Sequence, residues 1–264
     1  MIDKQTRMKK ILSLLCEKES VSIKDAAQIL DVSEMTVRRD ISYLEKSGYV
    51  IVFHGGVSLN QKNKDYINNF KYTPYQFDKA DSERLAEKNR IAEFAASLIE
   101  PFDAICIDNG TTCRYMLDYM QDISDCILYT YSMEVLVKAM NLESNNIRLF
   151  CFGGLYHKDI KMFESMDVLE IIKKTHINKL FLGAVGVSST YGLSCAQRYE
   201  VDIRQTLMSV SEKIIVLADS SKINKSWYLQ YADIKDVDIL ITDNKITDEQ
   251  KENLVNCGVT VYVV

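Results

Sequence analysis

Three histidines, no C-x-x-C pair and no long apolar run set the first limits on this chain of 264 residues. His54, His157 and His176 are too scattered to suggest a Cys/His zinc site, and no metal-binding residues are singled out, although distant carboxylates could still come together around an ion. The seven cysteines, Cys16, Cys106, Cys113, Cys126, Cys151, Cys195 and Cys257, lie mostly in apolar strand-like surroundings. They read as buried free thiols in a reducing compartment. No stretch reaches the roughly 18 apolar residues that a membrane-spanning helix needs. The opening MIDKQTRMKKILSLL puts basic residues ahead of apolar ones, as a signal peptide does. Its apolar stretch is short, however, and is soon broken by Glu17 and Glu19, so the chain reads as cytoplasmic, with no membrane partner. Positive charge is also short: the net charge of −5 removes any whole-chain argument for nucleic acid. A local argument survives, because contacts to DNA depend on where the charge sits. No internal repeat and no cofactor motif is evident.

What is present falls into three zones. Residues 1–57 hold short helical patterns that end in an apolar stretch and Gly55-Gly56. Residues 58–84 are polar and asparagine-rich and show no sustained periodicity, which is a linker composition. Tyr66, Phe70, Tyr72, Tyr75 and Phe77 in that stretch give it the means to dock. Residues 85–264 alternate helix-like segments with DAICID, CILYTY, NIRLFCF, NKLFLGAV, KIIVLAD, VDILITD and VTVYVV. These runs are almost continuously apolar, as strands are when helices cover both faces of a sheet. An α/β domain with a mainly parallel sheet is expected.

In the first zone, Met8, Ile11, Leu12 and Leu15 form the apolar stripe of one helix. Ser22 can cap a second, with Asp25 in the capping-box position and Ala26 and Ala27 small enough for a close crossing. Asp31-Val32-Ser33 makes a short turn, and Ser33 caps a third helix on which Val37, Ile41 and Leu44 face inward. Thr36, Arg38 and Arg39 lie in the first turns of that helix, away from or flanking its apolar stripe. Such a layout matches a helix-turn-helix, whose second helix enters the major groove with its N-terminal end near the bases. Arginine can grip guanine or phosphate, and threonine suits a phosphate or a base edge. Against this, two arginines near Asp40 and Glu45 also describe an ordinary solvated face with local ion pairs. The zone carries nine basic and eight acidic residues, a net charge of only +1. The continuation SGYVIVFHGGV reads as a β-hairpin, and helix-turn-helix followed by hairpin is the order of a winged domain.

In the third zone, IDNGTT closes an apolar run on Asp108 and follows it with Asn109, Gly110, Thr111 and Thr112. Gly110 lets a ligand approach the backbone, and free N–H groups at a helix start attract phosphate. Lys222, after KIIVLAD, and Gly153-Gly154, after NIRLFCF, would gather at the same carboxyl ends of the strands. The cradle could hold a substrate, hold a signal, or be a capped helix beside a surface lysine.

The run from ILSLLCEKES to VIVFHGGV, above all VSEMTVRRD, resembles the N-terminal domain of the DeoR family of bacterial transcriptional regulators. The resemblance continues through EKNRIAEFAASLI, IDNGTT, LFCFGG, FLGAVG and LADSSK. It implies a winged helix-turn-helix that binds a double-stranded DNA operator through Ser33, Thr36, Arg38 and Arg39, with a wing around His54, Gly55 and Gly56. It also implies a C-terminal domain similar to the ribose-5-phosphate isomerase and glucosamine-6-phosphate deaminase folds. That domain would bind a phosphorylated sugar through Asp108, Asn109, Gly110, Thr111, Thr112, Tyr131, Gly153, Gly154 and Lys222. The function implied is a non-enzymatic repressor of a carbohydrate operon, acting as a homodimer or homotetramer. The alternatives are a sugar-phosphate isomerase-like enzyme fused to a DNA-binding module, and a regulator whose C-terminal domain only assembles.

Three positions depart from the family pattern. Asp31 stands where glycine is common, Val185 replaces the aspartate of GADG, and Thr130-Tyr131-Ser132 replaces T-N-S. Valine cannot move a proton, which weighs against catalysis. Tyr131 adds bulk where a sugar would be read, so an altered effector or weakened binding is expected.

Overall fold

The computed structural model describes residues 4–18, 20–46, 50–53, 55–60, 77–123, 125–142, 146–227 and 229–264. Two compact units, Met1–Pro74 and Tyr75–Val264, divide the chain.

The first unit runs α1 (Lys4–Glu17), β1 (Ser20–Val21), α2 (Ile23–Leu30), α3 (Glu34–Lys46), β2 (Val50–Phe53) and β3 (Gly56–Leu59). Ser22 Oγ caps α2 by accepting from the Asp25 amide at 3.0 Å. The helix stops at Asp31, which adopts a left-handed conformation (φ 53°, ψ 49°) that aspartate tolerates better than most residues. Ser33 then caps α3, accepting from the Thr36 amide at 3.2 Å. Val37, Ile41 and Leu44 are buried together with Ile11, Leu12, Leu15, Ala26, Ala27 and Leu30. Strands β2 and β3 form an antiparallel hairpin in the register Phe53↔Gly56, and β3 also pairs with β1.

The stretch with linker composition, 58–84, opens within β3 and closes in α4 (Phe77–Ser82); residues 61–76, including Tyr66, Phe70, Tyr72 and Tyr75, lie outside the described residues. Phe77 is buried.

The second unit continues with α5 (Leu85–Ala96), β4 (Ala104–Ile107), a 3-10 segment (Cys113–Tyr119), β5 (Ile127–Thr130), α6 (Met133–Met140) and β6 (Arg148–Cys151). Two short strands, β7 (Leu155–His157) and β8 (Met162–Glu164), precede α7 (Met166–Ile172) and β9 (Ile177–Gly183). There follow β10 (Gly186–Ser188), β11 (Gly192–Cys195), α8 (Tyr199–Ser209), β12 (Ser211–Leu217), β13 (Leu229–Ala232), β14 (Ile239–Thr242), α9 (Asp248–Val255) and β15 (Thr260–Val263). Seven strands form one sheet in the order β15-β14-β12-β9-β4-β5-β6, and every neighbouring pair in it is parallel. These are the seven apolar runs of the sequence.

Their continuous hydrophobicity has a direct cause. Along β4, Ile105 and Ile107 enter one core, while Cys106 enters the other. Phe181 and Leu180/Leu182, Ile215/Leu217 and Val216, and Ile241 and Leu240 divide in the same way. Alternate residues thus serve two cores: α5, the 3-10 segment and α6 supply one, α7, α8 and α9 the other. The chain moves outward from β4 to β6, then returns to β9 on the other side of β4 and moves outward again. The switch point therefore lies between β4 and β9, where ligands of open α/β sheets gather.

Candidate functional site

At the carboxyl end of β4, Asp108 turns inward rather than toward solvent. It is fully buried, and its Oδ2 accepts from the Gly183 amide at 2.8 Å. Arg204, on α8, approaches through Nη2 at 3.0 Å and Nε at 3.3 Å, and the Tyr131 hydroxyl donates to Oδ1. Arg204 also bonds Asn109 Oδ1 at 3.1 Å and pairs with Glu200 at 3.0 Å. Glu200 in turn accepts from the amides of Ala196 (3.1 Å) and Gln197 (2.8 Å). Tyr231 lies under the Arg204 guanidinium and donates to the Gly183 carbonyl at 3.0 Å. One Arg204 nitrogen, Nη1, is buried with no hydrogen-bond partner among the described residues.

This buried lattice clamps the loop after β4 to the loop after β9. The two loops touch backbone to backbone: a Cβ on Gly110 would fall 2.9 Å from Gly183 Cα, and one on Gly183 would fall 2.8 Å from Gly110 Cα. Only glycine permits that approach.

Above the clamp opens a cleft lined by Asn109, Gly110, Thr111, Thr112, Gly183, Ala184, Val185, Glu200, Arg204, Leu217, Ala218, Asp219 and Lys222. The amides of residues 109–112 donate to no acceptor among the described residues. The helix expected after Thr112 is a seven-residue 3-10 segment. Its first turn therefore offers loop N–H groups rather than a developed helix dipole. Across the cleft, Asp219 caps the turn that carries Lys222, accepting from the Ser221 amide at 3.0 Å, and Asp243 holds Ser220 through two bonds. Lys222 has no ion-pair partner within reach among the described residues, and burial pushes its ammonium pKa down.

The residues singled out in the sequence separate here into two groups. Asn109, Gly110, Thr111, Thr112 and Lys222 line the cleft together. Asp108 and Tyr131 lie beneath it, fully buried and bonded to each other, and neither is part of the lining. Gly153 and Gly154 are not in the lining either; Gly154 (φ +148°) stands at the turn into β7, against the Glu164 carbonyl. Val185 lines the cleft, and its amide donates to the Ser194 carbonyl at 3.1 Å. Glu200 and Arg204 belong to no motif singled out in the sequence, although a signal exists. Glu200, Arg204 and Leu207 recur at i, i+4 and i+7, which puts an ion pair on the buried face of a helix.

The first unit presents a different surface. Asp40 is buried and takes Arg7 in a two-pronged contact (2.8 and 3.3 Å), which removes its charge from the exposed face of α3. Arg38 and Arg39 are exposed; Arg38 meets only Glu34, at 3.9 Å, and Arg39 pairs with nothing among the described residues. Ser33 and Thr36 share a hydroxyl–hydroxyl bond of 2.9 Å at the start of that face. Gly55 (φ +105°) is exposed at the hairpin tip, while His54 lies outside the described residues. Among the described residues, no group of acidic, histidine and cysteine side chains could hold a metal, and no helix is long and apolar enough to cross a membrane.

Both surfaces coincide with known families. Residues 7–63 match the model of the DeoR-like helix-turn-helix domain, and residues 83–244 match that of the DeoR C terminal sensor domain. The chain belongs to the DeoR family. It is a DNA-binding transcriptional regulator, as the curated DeoR-family relatives are. The HTH-type transcriptional regulator IolR of Bacillus subtilis is 29% identical over 93% of this chain and 94% of its own. The putative aga operon transcriptional repressor of Escherichia coli O157:H7 is 29% identical over 98% and 93%. The deoxyribose operon repressor of Escherichia coli K12 is 27% identical over 93% of each. Among solved structures, the ribose 5-phosphate isomerase of Plasmodium falciparum is similar at a TM-score of 0.38 and 17% identity, over 52% of each chain.

Proposed function

We propose that this DeoR-family regulator represses a carbohydrate operon and is controlled by a phosphorylated sugar bound in the cleft of its second unit. Residues 1–57 would hold the operator through Ser33, Thr36, Arg38 and Arg39, with the wing around His54 and Gly55 touching the backbone. Residues 85–264 would sense the effector and assemble a symmetric homo-oligomer, as paired operator half-sites require.

One observation carries this reading. The amides of four consecutive residues, Asn109 to Thr112, donate to no acceptor among the described residues. These residues line a cleft at the switch point of the sheet together with Lys222, which is in no ion pair among the described residues. Such a nest of N–H groups with a cation opposite is an anion site. Beyond the phosphate, Arg204 Nη1 offers a free donor to a sugar oxygen. Asp108 and Tyr131 act on the sugar indirectly, by holding Arg204 and the loop after β9.

The same geometry speaks against an isomerase. Of the carboxylates that line the cleft, Glu200 is held by Arg204 and two amides. Asp219 is held by its cap and by Arg84 at 3.5 Å. Neither is free to shuttle a proton, and Val185 cannot.

The test is a thermal-shift screen of sugar phosphates against the corresponding free sugars. At least one phosphate is expected to raise the melting temperature while its free sugar does not, and Lys222→Met is expected to remove the effect. A screen in which no sugar phosphate stabilises the protein would defeat the proposal, as would stabilisation that Lys222→Met leaves intact.

A further inference from the structure

Besides Tyr43 further along, the exposed face of α3 carries a large apolar residue in its first turn that neither the fold nor the charge of the domain explains. Met35 is 62% exposed in the first turn of the helix. The core of the unit is complete without it: Val37, Ile41 and Leu44 fill that role from the opposite side of α3. Arg38 and Arg39 follow at i+3 and i+4, so Met35 stands on the face that a helix-turn-helix presents to the major groove.

Its neighbours restrict what can read bases there. Ser33 and Thr36 bond each other and Ser33 also caps the helix, so the pair keeps one hydroxyl proton to donate, which suits a single phosphate contact. Glu34 is acidic and lies beside Arg38. Arg38, Arg39 and Met35 are therefore the long exposed side chains in these two turns that can reach base edges. Met140 and Met166 are equally exposed, at 70% and 69%, but neither stands beside arginines on such a helix.

The major groove offers one apolar group, the C5-methyl of thymine. A methionine side chain is unbranched and polarisable, and it can settle on a methyl group without a fixed rotamer. We infer that Met35 is a specificity-determining residue of this regulator, reading a thymine methyl in each operator half-site.

Deoxyuridine isolates the claim, because uracil keeps the base pairing of thymine and lacks only the methyl. The operator is first obtained by selecting random duplexes with the full-length protein. Each thymidine is then replaced singly by deoxyuridine, and affinity is measured by fluorescence anisotropy at fixed salt. For the unmodified protein, one replacement per half-site is expected to weaken binding about fourfold, the worth of burying one methyl group. In Met35→Ala the same replacement is expected to change affinity by less than about 1.5-fold, the general affinity for operator being retained. An equal penalty in both proteins would overturn the inference. So would the absence of any deoxyuridine penalty, or a selected half-site with no thymine. Because Met35 is exposed and alanine favours helix, the variant tests reading rather than folding.

Discussion

Arg204 shows how much one side chain can decide in this molecule. It is 3% exposed and flanked by Asp108 and Glu200, two carboxylates more buried than any surface ion pair. Removing it leaves both without their cation, and a broken buried pair costs about 3–5 kcal/mol. Arg204→Ala is therefore expected to lower the urea midpoint sharply even without any ligand. An unchanged midpoint would mean that the lattice is not structural. Lys222 is the contrasting case, a cation held ready rather than spent. Burial lowers its pKa, and a bound phosphate favours the ammonium, so effector affinity must fall as pH rises through that lowered pKa. Calorimetric titration across the alkaline range, with Lys222→Arg as the variant whose charge does not titrate, checks this. The fall should begin below the usual lysine range and be absent from the arginine variant.

At the level of elements, the decisive contact is between the turns that follow β4 and β9. In the sequence Gly183 is only part of FLGAVG, and its purpose appears when Gly110 is found against it. A methyl group there meets backbone, which cannot rotate away as a side chain would. Gly183→Ala is expected to separate the loops, at a cost of about 1–3 kcal/mol, and to abolish effector-induced stabilisation. A variant with wild-type melting and wild-type effector response would refute that role. The Thr111-Thr112 turn teaches a related lesson. Its hydroxyls and the helical pattern after it are legible locally, but whether the segment becomes an α-helix or a 3-10 segment depends on its neighbours. Arg114, two residues on from Thr112, is held between Asp81 at 2.6 Å and Glu134 at 2.8 Å, partners far away in sequence.

For the whole molecule, the proposed regulation would require that the effector bind one arrangement of a homo-oligomer better than another. With the helix-turn-helix match confined to residues 7–63, the proposed reading makes loss of DNA affinity separable from the stability of the second unit. The pair Arg38→Ala and Arg39→Ala is expected to weaken operator binding at least tenfold, at roughly 1–3 kcal/mol per contact. The sugar-phosphate thermal shift should be retained. Undiminished operator binding would remove α3 from the DNA interface.

Local chemistry alone determined a good deal of this protein. Apolar runs marked the seven parallel strands, and Ser22, Ser33 and Asp31 marked the ends of the helices, because caps and periodicity act between near neighbours. The same holds for the motif VSEMTVRRD, whose exposed and buried sides follow from a period of 3.6 residues. What only the tertiary structure decided concerns groups that are far apart along the chain. Asp40 withdraws from the exposed face of α3 because Arg7, 33 positions away, receives it. Asp108 and Tyr131, which look like ligand contacts in sequence, are buried beneath the cleft, where Arg204, 96 positions after Asp108 and itself part of the cleft lining, neutralises the carboxylate. A buried charge must find its partner in space, and sequence order does not say where that partner will be.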